Sequence, residues 1–224
     1  MRLTVASYNI LHGKFADYDM DKLTESIRTC DADLVGVQEV DVMTKRAGGR
    51  DIPALMAERL GFEYRFAKAI DLQGGAYGTA ILSRYPIEHF SVEALPSGNF
   101  EQRSIGCATI RIGDREINFW NTHLSYENKF LRAEQFNQLA KRIGTYRDII
   151  LTGDFNTDEY EDFSVLGDVT LCNNKSNFMG SFRDNARGID NIVLGKAWKL
   201  QCTGMICTEY SDHNLIFATI TDEI

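Results

Sequence analysis

Ile149-Ile150-Leu151-Thr152-Gly153-Asp154-Phe155-Asn156 is the stretch on which the reading of this chain turns. A short apolar run bounded by turn-forming residues is the pattern of a buried strand. This one runs into a carboxylate and, two residues later, a carboxamide. In an extended segment side chains two apart share a face, so Asp154 and Asn156 are expected to point the same way.

Other segments repeat the arrangement. Residues 3–9 read as a strand ending on Asn9, and Leu34-Val35-Gly36-Val37-Gln38 is an apolar run ending on Glu39. His123 follows Phe119-Trp120-Asn121-Thr122, Asp190 and Asn191 follow Gly188-Ile189, and Asp212 and His213 precede Leu215-Ile216-Phe217. Where such strands converge, these polar groups meet at one rim, a usual place for a site.

The remaining elements follow from period and punctuation. Residues 20–30 read as an amphipathic helix with Leu23 and Ile27 on one face. Residues 52–60 form a second helix stopped by Gly61. Residues 128–143 form a third, with Phe130, Ala133, Phe136, Leu139, Ala140 and Ile143 on the helical repeat. Between Tyr64 and Ile112, Gly74-Gly75, Tyr85-Pro86 and Pro96-Ser97-Gly98 separate several short strands. Residues 117–122, 189–194 and 215–220 add three more. Strands outnumber helices, and the helices fall between groups of strands. The expected fold is an α/β sandwich of four layers: two mixed, mainly antiparallel sheets face to face, with helices outside.

Composition narrows the class. With 224 residues, 44% of them hydrophobic and 25% charged, one globular domain over 1–224 is expected. No run of apolar residues is long enough to span a membrane, and the N-terminal residues carry no secretory pattern. The five cysteines are scattered and form no CxxC pair, which suits reduced thiols and a cytoplasmic location. A monomer is expected, although nothing in the sequence speaks to oligomeric state. A net charge of −8 argues against tight non-specific binding to nucleic acid, without excluding a nuclease. The four histidines, His12, His89, His123 and His213, have no HxxxH spacing, and neither a Gly-x-Ser-x-Gly elbow nor a phosphate-binding Walker loop occurs.

Each polar strand end has an ordinary reading. Asn9 and Asp154-Phe155-Asn156 suit turns, Glu39 suits a solvated strand end, His123 suits a hydrogen-bonded core histidine, and Asp212-His213 suits a loop ion pair. Their joint placement after or before apolar strands is what sets them apart.

That joint pattern resembles the endonuclease/exonuclease/phosphatase superfamily. The stretches that carry the resemblance are Ser7-Tyr8-Asn9-Ile10, Val37-Gln38-Glu39-Val40-Asp41, Tyr77-Gly78-Thr79-Ala80-Ile81-Leu82-Ser83-Arg84, Asn121-Thr122-His123-Leu124, Thr152-Gly153-Asp154-Phe155-Asn156, Ile189-Asp190-Asn191-Ile192 and Ser211-Asp212-His213. The resemblance implies a Mg²⁺-dependent hydrolase of phosphate esters, with Mn²⁺ as an alternative ion. Glu39 would be the principal metal ligand, with Asn9 and Asp212 directly or through water, a hard oxygen set suited to such ions. Asp154 would handle the attacking water, while Asn156 and His213 would hold phosphoryl oxygens. Asp190 would fix the His213 tautomer, and His123 would contact the phosphate and protonate the leaving oxygen. Arg103 would add fixed positive charge toward the substrate.

Two features depart from the family pattern. In the deoxyribonuclease branch the histidine matching His123 pairs with an upstream carboxylate, but residues 76–81 offer none, which leaves a backbone carbonyl or another partner, and Asn191 stands where many relatives carry an aromatic. The substrate is expected to be a small or lipid-derived phosphoester. A nuclease acting on DNA or RNA is the alternative, and a non-catalytic binding protein of the same fold is the alternative from another class. Candidate substrate-facing loops are residues 12–15, 43–50 and 173–177, the second carrying Lys45, Arg46 and Arg50 as an anion clamp or a solvated loop.

Overall fold

The computed structural model describes residues 1–144 and 146–222. In chain order the elements are β1 (Arg2–Asn9), α1 (Met20–Thr29), β2 (Leu34–Val42), α2 (Ile52–Leu60), β3 (Glu63–Leu72), β4 (Gly75–Ser83), β5 (Ile87–Ala94), β6 (Ser104–Ile112), β7 (Arg115–His123), α3 (Lys129–Ile143), β8 (Ile149–Asp154), β9 (Thr170–Leu171), α4 (Arg183–Ala186), β10 (Asp190–Leu194), β11 (Trp198–Ile206) and β12 (Leu215–Asp222). Two six-stranded sheets result, in the orders β11-β12-β1-β2-β4-β3 and β5-β6-β7-β8-β10-β9. They pack face to face with helices outside, the four-layer sandwich expected.

Each sheet holds one parallel pair, β1 with β2 and β7 with β8. Parallel neighbours need a crossover, and α1 and α3 supply it. The consequence is functional. Parallel strands end at the same edge, so Asn9 lies in register with Gln38, and His123 with Asp154. β10 runs antiparallel to β8 and starts there, with Asp190 opposite Asp154. One edge of the sandwich therefore collects the polar strand ends.

Burial explains why these strands read as unbroken apolar runs. Leu3 and Val5 of β1 face Ile150 and Ile192 of the other sheet in the central core. Ala6 and Tyr8, on the opposite face of β1, pack with Leu23 and Ile27 of α1 and Met56 of α2. In β8, Ile149 and Leu151 pack instead against Phe136 and Leu139 of α3. A strand covered on both faces has no solvent side to carry polar residues.

Local signals place the helices. Asp19 caps α1 by accepting from the amides of Asp21 and Lys22, and Asn128 caps α3 through Phe130 and Leu131. Asp51 caps α2 by accepting from Ala54, and Gly61 closes it at φ +69, a conformation that costs glycine nothing. The buried face of α3 is Leu131, Gln135, Phe136, Leu139 and Ile143. Phe130 and Ala133 lie outside it, and Phe130 is 72% exposed. The periodic pattern admitted a wider stripe than the sheet covers.

Two further details differ from expectation. β2 does not stop at Glu39 but continues to Val42, with a bulge between Val37 and Val40 that holds Glu39 at φ +56. A bulge re-aims a side chain within a strand. β11 went unread, its two-residue period broken by a register shift between Leu200 and Cys202. All five cysteines are free thiols. Among the described residues no helix is long and apolar enough to cross a membrane.

Beneath the polar edge the sheets are joined by hydrogen bonds rather than by apolar packing. Asn121 donates to the carbonyls of Val37 and Ala80 at 2.9 Å each and accepts from Gln38 at 2.7 Å and Thr152 at 3.1 Å. Gly36 makes room for this network: a Cβ there would lie 1.9 Å from Thr152 Oγ1.

Candidate active site

The polar edge forms one cleft of about 550 Å³ whose walls include Glu39, Arg103, His123, Asp154, Asn156, Asp212 and His213. Asn9 and Asp190 lie buried against it. The structure thus brings all nine residues singled out in the sequence to one place.

Asp154 is the hub. Its Oδ1 accepts from the Asn156 amide at 2.9 Å and its Oδ2 from Asn9 Nδ2 at 3.0 Å. The Nε2 atoms of His123 and His213 face that same Oδ2, at 3.5 and 3.6 Å. Burial, together with the nearby Asp190 carboxylate, pushes the Asp154 carboxyl up to about 7.

Asn156 reaches its position differently from the extended reading. Its φ is +53 and its amide closes a turn onto the Asp154 side chain, while its Nδ2 donates to Leu124 O at 2.8 Å. Asparagine tolerates this left-handed conformation better than most residues.

His213 belongs to a carboxylate relay. Its Nδ1 lies 2.8 Å from Asp190 Oδ2, which also accepts from Ser181 Oγ at 2.6 Å. Burial opposes its protonation, but Asp190, with Asp154 and Asp212 behind it, outweighs that and pushes the imidazole up to about 10. These carboxylates favour the protonated form of His213. Asp154, Asp190 and His213 place potential ligand atoms within 4.8 Å of one another, a group that could hold a metal.

His123 is the opposite case. Its partner is a cation: Arg103 Nη1 lies 3.2 Å from its Nδ1. Burial holds the imidazole well below its ordinary range, and Arg103 and His213 add to this. Arg103 is itself buried and meets Glu101 at 2.9 Å.

Asn9 binds two acids together, donating to Glu39 Oε1 at 3.1 Å as well as to Asp154. Its own oxygen accepts from the Leu11 amide at 3.0 Å. Burial raises the Glu39 carboxyl, against the Asn9 hydrogen bond and the His213 charge. Asp212 Oδ1 is buried and has no hydrogen-bond partner among the described residues.

Two of the three candidate loops carry structural contacts. In residues 43–50, Arg46 grips the buried Asp41 at 2.6 and 2.8 Å, and Arg50 donates to Ala47 O. A buried carboxylate requires such a partner, so Arg46 is not free to clamp an anion. In residues 173–177, Asn173 is fully buried. Its amide donates to Asn191 Oδ1 at 3.0 Å and its carbonyl accepts from Asn191 Nδ2 at 2.8 Å. That pairing gives Asn191 its place. None of residues 12–15 lines the cleft, although the preceding Leu11 does. The sequence reading missed Tyr77, Tyr126, Arg132, Phe182, Arg183 and Arg187 as cleft residues; nothing in their local sequence distinguishes them from surface aromatics and cations.

Comparison with known proteins places this geometry. The chain is 24% identical over 155 residues to the uncharacterized protein YbhP of Escherichia coli K12, a match covering 61% of this chain and 58% of YbhP. A crystal structure of an endonuclease/exonuclease/phosphatase family protein from Bacteroides thetaiotaomicron is similar at a TM-score of 0.80, with 18% identity, covering 100% of this chain and 96% of the other. The structure of a mannosyl-6-phosphatase from the same species is similar at a TM-score of 0.76, with 18% identity, over 98% and 99% of the two chains. The family model described as "Endonuclease/Exonuclease/phosphatase family" matches residues 6–213, and the chain belongs to that family.

Proposed function

We propose that the chain is a metal-dependent hydrolase of phosphate esters, acting on a small or lipid-derived phosphoester. The observation that carries this reading is the convergence on Asp154 Oδ2: two imidazole Nε2 atoms and one amide nitrogen face a single buried carboxylate oxygen.

A carboxyl pushed up to about 7 is matched to accept a proton near neutral pH. Asp154 takes the proton of the attacking water, while Asn9 and the Asn156 amide hold its two oxygens in place. The His213 imidazolium donates from Nε2 to a phosphoryl oxygen that gains charge as the bond breaks. His123, facing a guanidinium at Nδ1, carries its proton on Nε2 and donates there as a neutral group. This supports a role for His123 as a hydrogen-bond donor rather than as the acid that protonates the leaving oxygen.

The residues present suit a divalent cation such as Mg²⁺. Glu39 is a desolvated carboxylate, and Asp212 keeps a buried oxygen without a partner among the described residues. Glu39 and Asp212 would hold the ion, which when bound would neutralise charge on the phosphoryl oxygens. The Asp154, Asp190 and His213 group suits it less, because Asp190 Oδ2 and His213 Nδ1 already hold each other at 2.8 Å, although Asp190 Oδ1 is also buried without a partner among the described residues. With its oxygen engaged by Leu11, Asn9 acts mainly by aligning the two carboxylates.

The likeness to a mannosyl-6-phosphatase supports a sugar phosphate among the small substrates. Release of phosphate from hexose 6-phosphates and phospholipid head groups, measured with Mg²⁺ beside plasmid nicking, tests the reading. Asp154→Asn should lower kcat on the best substrate by roughly 10²- to 10⁴-fold. Plasmid nicking at lower enzyme concentration than any small substrate needs, abolished by the same variant, would replace the substrate class with DNA. Absence of hydrolysis of every phosphoester would favour a binding protein.

A further inference from the structure

Among the described residues of the cleft walls, every arginine but one is matched by an acid. Arg103 meets Glu101 at 2.9 Å, Arg187 grips Asp158 at 3.0 and 3.1 Å, and Arg132 lies 4.0 Å from Asp162. Arg183 lines the same cleft and pairs with no described carboxylate. Its guanidinium instead lies over the Phe182 ring, 4.8 Å from the centroid. The Phe182 ring packs in turn on the His213 imidazole, with centroids 4.7 Å apart.

The backbone fastens this stack. The Arg183 amide donates to Asp212 O at 3.0 Å, and the Asn214 amide donates to Ser181 O at 2.7 Å. Arg183 is thus tied to the segment that carries Asp212 and His213, one ring away from the imidazolium that faces the scissile phosphate in the proposed mechanism. A guanidinium laid against an aromatic ring keeps its planar fork of donors available, and that fork matches two oxygens of a phosphate.

We propose that Arg183 forms a second anion subsite, and that the preferred substrate is a small phosphoester bearing one further phosphate on its organic part. This rests on the phosphoester-hydrolase reading above. The number of phosphates follows from the charge inventory. A nucleic-acid strand asks for a track of free cations along the groove, whereas here one unmatched guanidinium stands among matched ones. One extra phosphate satisfies it.

The test compares a hexose 6-phosphate with the corresponding hexose 1,6-bisphosphate in wild type, Arg183→Gln and Arg183→Lys. Wild type should favour the bisphosphate in kcat/KM, and Arg183→Gln should cut that preference by about tenfold or more, through KM. Arg183→Lys should keep part of it. Equal losses on both substrates, or a wild type without preference, would overturn the subsite. Calorimetric binding of the same two sugar phosphates to Asp154→Asn, with and without Arg183→Gln, separates the subsite from the chemistry. Tighter bisphosphate binding that Arg183→Gln removes upholds the subsite even when no turnover is found. A short oligonucleotide that binds more tightly than the bisphosphate, in an Arg183-dependent way, would overturn the small-molecule class.

Discussion

Arg103 Nη1 stands 3.2 Å from His123 Nδ1, so this histidine nitrogen is paired with a cation rather than with a carboxylate. An arginine only donates, so Nδ1 must accept and the proton must sit on Nε2. Replacing Arg103 by Met frees that choice. In Arg103→Met the His123 ring should populate both tautomers, read from imidazole ¹⁵N shifts, and kcat/KM should fall on the order of 10²-fold, the usual cost of one misaligned donor. Arg103→Lys keeps a donor and should retain the wild-type tautomer. An unchanged ¹⁵N pattern in Arg103→Met would end this account of the pair.

Glu39 concerns the metal. Its carboxyl is raised by burial, the mark of a charge waiting for a counter-ion. Mg²⁺ at about a hundred times its dissociation constant should raise the wild-type melting temperature by roughly 5 to 10 °C. Glu39→Gln should lose most of that rise and also melt above wild type in chelator, since a neutral amide replaces a desolvated charge. A Mg²⁺-induced rise that survives Glu39→Gln would place the ion elsewhere.

His213 sets a pH dependence of stability. Its carboxylate neighbours raise it from its ordinary 6.5 to about 10 despite burial. A folded-state value above the unfolded one means the imidazolium stabilises fully below 6.5, and that contribution is lost as pH rises through about 10. The stability gap between wild type and His213→Gln, from urea unfolding in chelator, should narrow steadily between those limits. A gap constant across that range would contradict the relay. Asp190→Asn removes the main opposing charge and should bring the histidine's titration, followed by NMR, down toward its ordinary range.

Gly36 gives a purely structural prediction. A methyl group there would collide with Thr152 Oγ1 and with Asn121 Oδ1, the latter 2.5 Å away. Gly36→Ala should destabilise by about 1–3 kcal/mol or more in urea unfolding. It should also lower activity, because the hydrogen bonds it displaces join the two sheets directly below Glu39 and Asp154. Wild-type stability in Gly36→Ala would show that the sheets can part without loss.

Much of the architecture was readable in the chain itself. Apolar runs of strand length, the stop at Gly61 and the turn at Gly74-Gly75 are short-range signals, set by dihedral preferences and hydrogen bonds within a few residues. The polar strand ends, from Asn9 to His213, were visible because a carboxylate or imidazole at the end of a buried run is conspicuous against its neighbours. Pairings between distant residues were not readable. Register decided that Asp190 lies opposite Asp154 and His123 beside it, and a bulge in β2 turned Glu39 toward the cleft. Packing decided that Arg46 is consumed by Asp41, that Asn173 belongs to Asn191, and that Arg183 rests on Phe182 with no acid against it among the described residues. An arginine looks the same in sequence whether or not an acid awaits it. Only the folded sheets, which bring residues a hundred positions apart within a few ångströms, determine which charges are neutralised and which remain for a ligand.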